Sequence, residues 1–216
     1  MAEYQTEEEQ VEALKRWWEK NGKFVIIGGI VVIAGVVGGK TWQDFQLTTA
    51  GKVSAQYNLM LEELEAGDED SATQRAQDII TKNADMHYAV LSAMMLAKTH
   101  VDKGDNDAAF QQLSWALSNT DDSNMKHVIR LRLAKVLIAQ DKLGEAMTHA
   151  TFPETGSFSS QYSVIKGDIY YKKGELESAK TAYKAALDDK ELGGQLRSFV
   201  QIKLDDLGGI AEEGES

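Results

Sequence analysis

Hydrophobic residues follow two different rules along this chain. From Phe24 to Gly39 the sequence reads FVIIGGIVVIAGVVGG, sixteen residues without a charge between Lys23 and Lys40. Beyond Trp42 the apolar positions recur at three- and four-residue intervals, and strand-like alternation is almost absent. A helix apolar on every side belongs in lipid or a buried core, whereas one apolar on one side packs against other helices. Sixteen residues rise about 24 Å as a helix, short of a hydrocarbon core of about 30 Å. Lys23 and Lys40 can snorkel, and Trp17, Trp18 and Trp42 stand where interfacial aromatics belong. The pattern therefore predicts a transmembrane helix over residues 24–41. Lys15, Arg16, Lys20 and Lys23 precede it, while only Lys40 and Lys52 follow closely, so residues 1–23 are expected in the cytoplasm and the rest outside. Gly35 and Gly39 form G-x-x-x-G, with Ala34 and Gly38 small at the same spacing, a face suited to close helix packing in lipid. Over residues 4–20, Val11, Leu14, Trp17 and Trp18 share one helical face, which fits a surface-lying helix or a solvated tail.

Three other readings compete for the apolar run. A cleaved signal peptide would start short and basic, not MAEYQTEEEQ, although Val37-Gly38-Gly39 could serve as a cleavage site. A buried core segment fits the short length but not the basic and Trp flanks. The third is a phosphate loop: Ala34 to Thr41 satisfies the loose pattern [AG]-x-x-x-x-G-K-[ST], with an apolar stretch before it as a first strand would be. Val136 to Asp141 could imitate a second strand ending in a magnesium-binding Asp. Ala34 in place of Gly, and helical periodicity throughout the remainder, weigh against a nucleotide-binding sheet.

The remainder contains an internal repeat. Gly167, Tyr170, Gly174, Ala179, Tyr183 and Ala186 sit at relative offsets 0, 3, 7, 12, 16 and 19 within residues 161–190. That spacing resembles the tetratricopeptide repeat: small residues let two antiparallel helices approach, aromatics fill between them, and Gly at offset 7 ends the first helix. Ala97, Gly104, Ala109, Leu113 and Ala116 fit the same frame, as do Ala134, Leu137, Asp141, Ala146 and Ala150. A fourth, degenerate pair is expected across residues 53–83, with a break at Gly67-Asp68. Pro153 and Gly156 mark a loop between repeats, and residues 191–207 read as a terminal cap helix. An ordinary helical bundle is the alternative. The expected architecture is all-α: a single N-terminal transmembrane helix, then a tetratricopeptide-like helical repeat domain. Its parts are a cytoplasmic segment 1–23, the span 24–41, a periplasmic repeat domain 42–208 and a disordered tail 209–216.

Charge and composition narrow the function. The 216 residues carry 23 Lys and Arg against 34 Asp and Glu, net −11, and 19 against 28 over residues 40–216, net −9. Such a chain does not fit a general nucleic-acid binder. An acidic domain is also repelled by anionic headgroups, which favours one held off the bilayer. There is no Cys, so disulfides, thiolate metal sites and cysteine nucleophiles are excluded. His87, His100, His127 and His149 show no i, i+4 pairing and no H-E-x-x-H, and there is no G-x-S-x-G. Asp121-Asp122 and Asp188-Asp189 fall where helices begin or end, as capping carboxylates do. Glu62, Glu63, Glu65 and Asp68 to Asp70 read as a wet acidic surface rather than a calcium site. No catalytic, cofactor or metal site and no small-molecule substrate is expected. Repeat arrays offer instead a groove lined by their first helices. Here those positions are Met94, Lys98 and Val101, then Val128, Leu131, Lys135 and Ile138, then Val164, Asp168 and Tyr171. Several of them could equally be core.

The stretch from Gln10 to Lys23 (QVEALKRWWEKNGK), one span, and about 170 residues of degenerate repeat pairs, together with Leu131-Arg132-Leu133-Ala134, resemble the YfgM family of ancillary Sec translocon subunits in Gram-negative bacteria. The resemblance implies an inner-membrane protein with a periplasmic repeat domain, association with SecYEG and with the chaperone PpiD, help to secreted client proteins, and restraint of the stress regulator RcsB by the cytoplasmic segment. A repeat adaptor for another periplasmic complex stays open beside it.

Overall fold

The computed structural model describes residues 7–152, 155–190 and 192–214, and no strand occurs among them. The helices are α1 (Glu7–Glu65), α2 (Glu69–Lys82), α3 (His87–Asp102), α4 (Asn106–Ser118), α5 (Ser123–Ala139), α6 (Leu143–Ala150), α7 (Ser159–Lys172), α8 (Leu176–Leu187) and α9 (Gly194–Gly214), with a 3₁₀ turn at Gly156–Phe158. The chain divides into two units, Met1–Lys52 and Val53–Ser216.

In the first unit every large apolar side chain of α1 is open. Phe24 is 75% exposed, Ile30 60% and Val36 67%, so the run is not a core segment of this unit. By length and composition alone, this is the one described helix able to cross a membrane. Residues 34–41 are helical throughout, which corrects the phosphate-loop alternative. Their N–H groups point along the helix instead of forming a cradle, and the Thr41 hydroxyl donates to the Val37 carbonyl at 2.8 Å. Space beside Gly35 and Gly39 is empty, so neither glycine is required by packing within the chain.

The second unit is built from four helical hairpins, each closed in the same way. The end of α1 pairs with α2, α3 with α4, α5 with α6 and α7 with α8. Between the partners a single residue turns into the left-handed region: Gly67 (φ 78°), Gly104 (φ 77°), Asp141 (φ 60°) and Gly174 (φ 77°). At each one, the turning residue's N–H bonds three residues back, to Leu64, Val101, Ile138 or Tyr171, and the next N–H bonds five back, to Glu63, His100, Leu137 or Tyr170, all at 2.8–3.1 Å. These paired bonds satisfy the last carbonyls of the first helix while reversing the chain. Asp68 and Asp105 then cap α2 and α4, accepting from Ser71 N at 3.2 Å and Ala108 N at 3.0 Å, and Asp122 caps α5, accepting from Met125 N at 2.7 Å. So the acidic residues near Gly67 and at 121–122 are partly structural, as capping predicts. Glu63 adds a bidentate pair with Arg75, at 2.9 and 2.5 Å, which holds its carboxyl below the usual range.

Within each hairpin the partners meet through a small side chain. Ala97 packs with Leu113, and Ala134 with Ala150. A Cβ on Gly167 would stand 2.3 Å from the Tyr183 ring, closer than atoms can approach. The α1–α2 hairpin obeys the same frame with the volumes exchanged: Met60 is fully buried against Ala72 and Ala76.

Successive hairpins share apolar layers, the first helix of one packing on its predecessor. Ile129, Leu133 and Val136 of α5 lie on α3 and α4, and Ile165 and Ile169 of α7 lie on α5 and α6. Helix α9 closes the series: Leu196, Val200, Leu204 and Leu207 pack on Tyr183 and Val164. Arg197 donates to the Leu187 carbonyl at 2.7 Å and to that of Asp189, fixing the end of α8. The expected tail begins at residue 209, yet α9 continues to Gly214. Leu207 is the last buried apolar residue of α9 among the described side chains. Pro153 lies outside the described residues; Gly156 opens the 3₁₀ turn with φ 48°.

Candidate protein-binding groove between α3 and α5

The first helices of the second and third hairpins, α3 and α5, leave a cavity of about 340 Å³ between them. Met94, Ala97, Leu113, Val136 and Ala139 line it with carbon, and Lys98, Arg132, Lys135, Asn106 and Val101 complete the wall. Met94, Leu113 and Val136 are nearly inaccessible, so their side chains form a floor; Val101 is 43% exposed and stands at the edge. The helix geometry explains the arrangement. Met94, Lys98 and Val101 are spaced i, i+4 and i+7 and share a face, as do Arg132, Lys135 and Ala139.

Every ionised side chain lining this cavity is basic. Lys98 reaches Asp102 one turn on, at 2.6 Å, in an exposed pair. Arg132 and Lys135 make no ion pair among the described residues and project from an otherwise acidic domain. Lys98 also borders a second hollow beside the end of α1, lined by Leu61, Leu64, Glu65 and Met95.

Of the ten groove positions expected from the repeat frame, four come together here: Met94, Lys98, Val101 and Lys135. The others are placed differently. Val128 leans on the α3–α5 layer, and Leu131 and Ile138 on the α5–α7 layer. Val164 belongs to the layer under α9. Asp168 accepts a hydrogen bond from the Tyr183 hydroxyl at 2.7 Å and pairs with Lys203 of α9, so its carboxylate ties three helices together. Burial and that carboxylate push the Tyr183 phenol well above its ordinary range. Tyr171 is 46% exposed, and on α9 Phe199 and Ile202 are also open. Arg132 is the charged residue the frame overlooked. It sits one turn from Lys135, a spacing visible in the sequence but without a distinguishing charge pattern.

His127 and His149 lie in packed surroundings, while His87 is exposed. His127 Nδ1 lies 3.0 Å from the Tyr162 hydroxyl, and its ring stacks on Phe158 at 4.9 Å and meets Phe152 edge-on at 5.4 Å. Arg130 covers the other ring contact, 4.5 Å from the Phe152 centroid. His149 is half-buried nearby, and burial with the Arg130 charge lowers its pKa. Among the described residues no three His, Asp or Glu side chains are grouped to hold a metal ion.

Comparison with known proteins agrees with this architecture. A family model described as a tetratricopeptide repeat-like domain matches residues 15–209. The chain is 30% identical over 201 residues to the ancillary SecYEG translocon subunit of Aggregatibacter actinomycetemcomitans, covering 93% of this chain and 97% of that one. It is 29% identical over 202 residues to the protein of the same name in Haemophilus influenzae, with 93% and 97% covered. The Escherichia coli K12 protein of that name is 28% identical over 204 residues, with 94% and 98% covered. Matching these relatives end to end, through the apolar helix and the repeats alike, the chain belongs to the tetratricopeptide repeat-like family of ancillary SecYEG translocon subunits.

Proposed function

We propose that this protein is a non-catalytic accessory subunit of the Sec translocon. Residues 24–41 anchor it in the bacterial inner membrane, residues 1–23 remain in the cytoplasm, and the repeat domain works in the periplasm. The observation that carries the reading is the end-to-end match to relatives named for SecYEG. The physical features support it. An exposed apolar helix flanked by Lys and Trp suits a bilayer, and tethering raises the effective concentration of the repeats beside other membrane proteins. In this reading the domain associates with SecYEG and PpiD and receives secreted proteins as they emerge. The cytoplasmic segment restrains RcsB.

Affinity purification of the full chain in mild detergent should recover SecYEG and PpiD. A protease added to intact spheroplasts should digest the repeat domain. Neither channel nor chaperone in the eluate would remove the translocon role. Survival of the repeats in spheroplasts would invert the topology. Replacing Ile30 and Ile33 with Asp, each at about 2.5–3.5 kcal/mol near the centre of a span, should release the protein into the soluble fraction without detergent.

A further inference from the structure

We propose that the cavity between α3 and α5 binds a peptide segment of another protein in which an apolar side chain is flanked by carboxylates. This rests on the reading of the repeats as a protein-binding domain and goes further by naming the ligand's chemistry. The floor of Met94, Ala97, Leu113 and Val136, with the exposed Ala139 beside it, offers an apolar side chain a carbon-lined surface largely shielded from water. Its volume of about 340 Å³ suits a few side chains and not a folded element. The rim selects by charge. Lys98, Arg132 and Lys135 converge on one opening, whereas the domain as a whole carries net −9 over residues 40–216, with 19 Lys and Arg against 28 Asp and Glu.

The charge pattern discriminates between occupants. Arg132 and Lys135 have no acidic partner among the described residues, so an incoming carboxylate displaces no existing bond. Arg132 can accept it in bidentate fashion. A basic peptide gains nothing at this rim, and an anionic membrane surface meets the repulsion of the surrounding domain. Asn106, at the start of α4, adds an uncharged amide to the same wall, able to bond a peptide backbone.

The test uses the full chain in detergent micelles and a short fluorescein-labelled peptide carrying Leu-Phe between Asp-Glu pairs, read by anisotropy. The peptide should bind, and its affinity should fall as NaCl is raised. Combining Arg132→Glu with Lys135→Glu should weaken binding by about tenfold or more. The uncharged pair Arg132→Gln with Lys135→Gln should show the same direction, and melting curves establish that each variant is folded. Exchanging the probe's acids for Lys, or its Leu-Phe for Ser-Ser, should abolish binding. The proposal is overturned if the acidic probe does not bind, if acidic and basic probes bind alike, or if neither double variant changes the affinity. Charge-reversal-sensitive sedimentation with anionic lipid vesicles, without peptide binding, would also overturn it. Recovery of SecYEG with the same variants is measured in parallel, so that loss of peptide binding and loss of the translocon role are separately visible.

Discussion

The first and last hairpins of the repeat domain solve one packing problem with opposite volumes. At the α1–α2 pair the first helix carries the bulk, Met60, and the second supplies Ala72 and Ala76. At the α7–α8 pair the first helix carries Gly167 and the second supplies the Tyr183 ring, with no room for even a methyl group between them. Two helices can approach closely when the sum of facing side chains is right, whichever helix contributes it. The repeat is therefore a rule about pairs of positions and not about either position alone.

Breaking the first pair should have the largest effect. Met60→Ala empties a site with 0% exposure and should cost about 2–5 kcal/mol, measured by urea denaturation. Breaking the last pair by overfilling comes next. Gly167→Val should cost about 1–3 kcal/mol as the Tyr183 ring is displaced from Asp168. Joined to Tyr183→Ala, it should lose less than the two single changes summed. Full additivity would mean that the two side chains do not compete for one space.

The hairpin turns sharpen the comparison, because one of the four lacks Gly. Asp141→Gly should raise stability by about 1 kcal/mol, while Gly104→Ala should lower it by a similar amount, since a Cβ is disfavoured at positive φ. Equal signs in thermal melts would refute the shared left-handed turn.

The smallest effect concerns pH. His149 has its pKa lowered by burial and by Arg130, so the fold favours its neutral form. That contribution is complete above the ordinary value of about 6.5 and is lost as pH falls through the lowered one. The melting temperature should therefore drop between pH 7 and 5, and His149→Gln should flatten that drop. An unchanged slope would dismiss His149 as its source.

How much of this was legible beforehand varied with the residue. The three hairpins holding Ala97, Ala134 and Gly167 could be read directly, because each shows a small residue at the first position of the frame. The α1–α2 pair was faint because Met60 stands in that place and its compensation, Ala76, lies on the other helix. Asp141 gave no sign of a left-handed turn beyond its register with Gly104 and Gly174. The groove was legible as a set of facing positions, but Arg132 and Asp168 show the limit. Periodicity assigns a face, whereas the neighbour across the interface decides whether a side chain there is open, as at Lys135, or taken up, as Asp168 is by Tyr183 and Lys203.

By itself the sequence determined what depends on local chemistry: an uncharged run too apolar for water, helices marked by three- and four-residue spacing, and turns announced by Gly. These follow from backbone geometry and solvation, which act over neighbouring residues. Only the tertiary structure decided which residues share a cavity, which charges remain unpaired and how bulk is divided between facing helices. Those properties belong to pairs of residues distant along the chain, and packing density fixes them only once both members are in place.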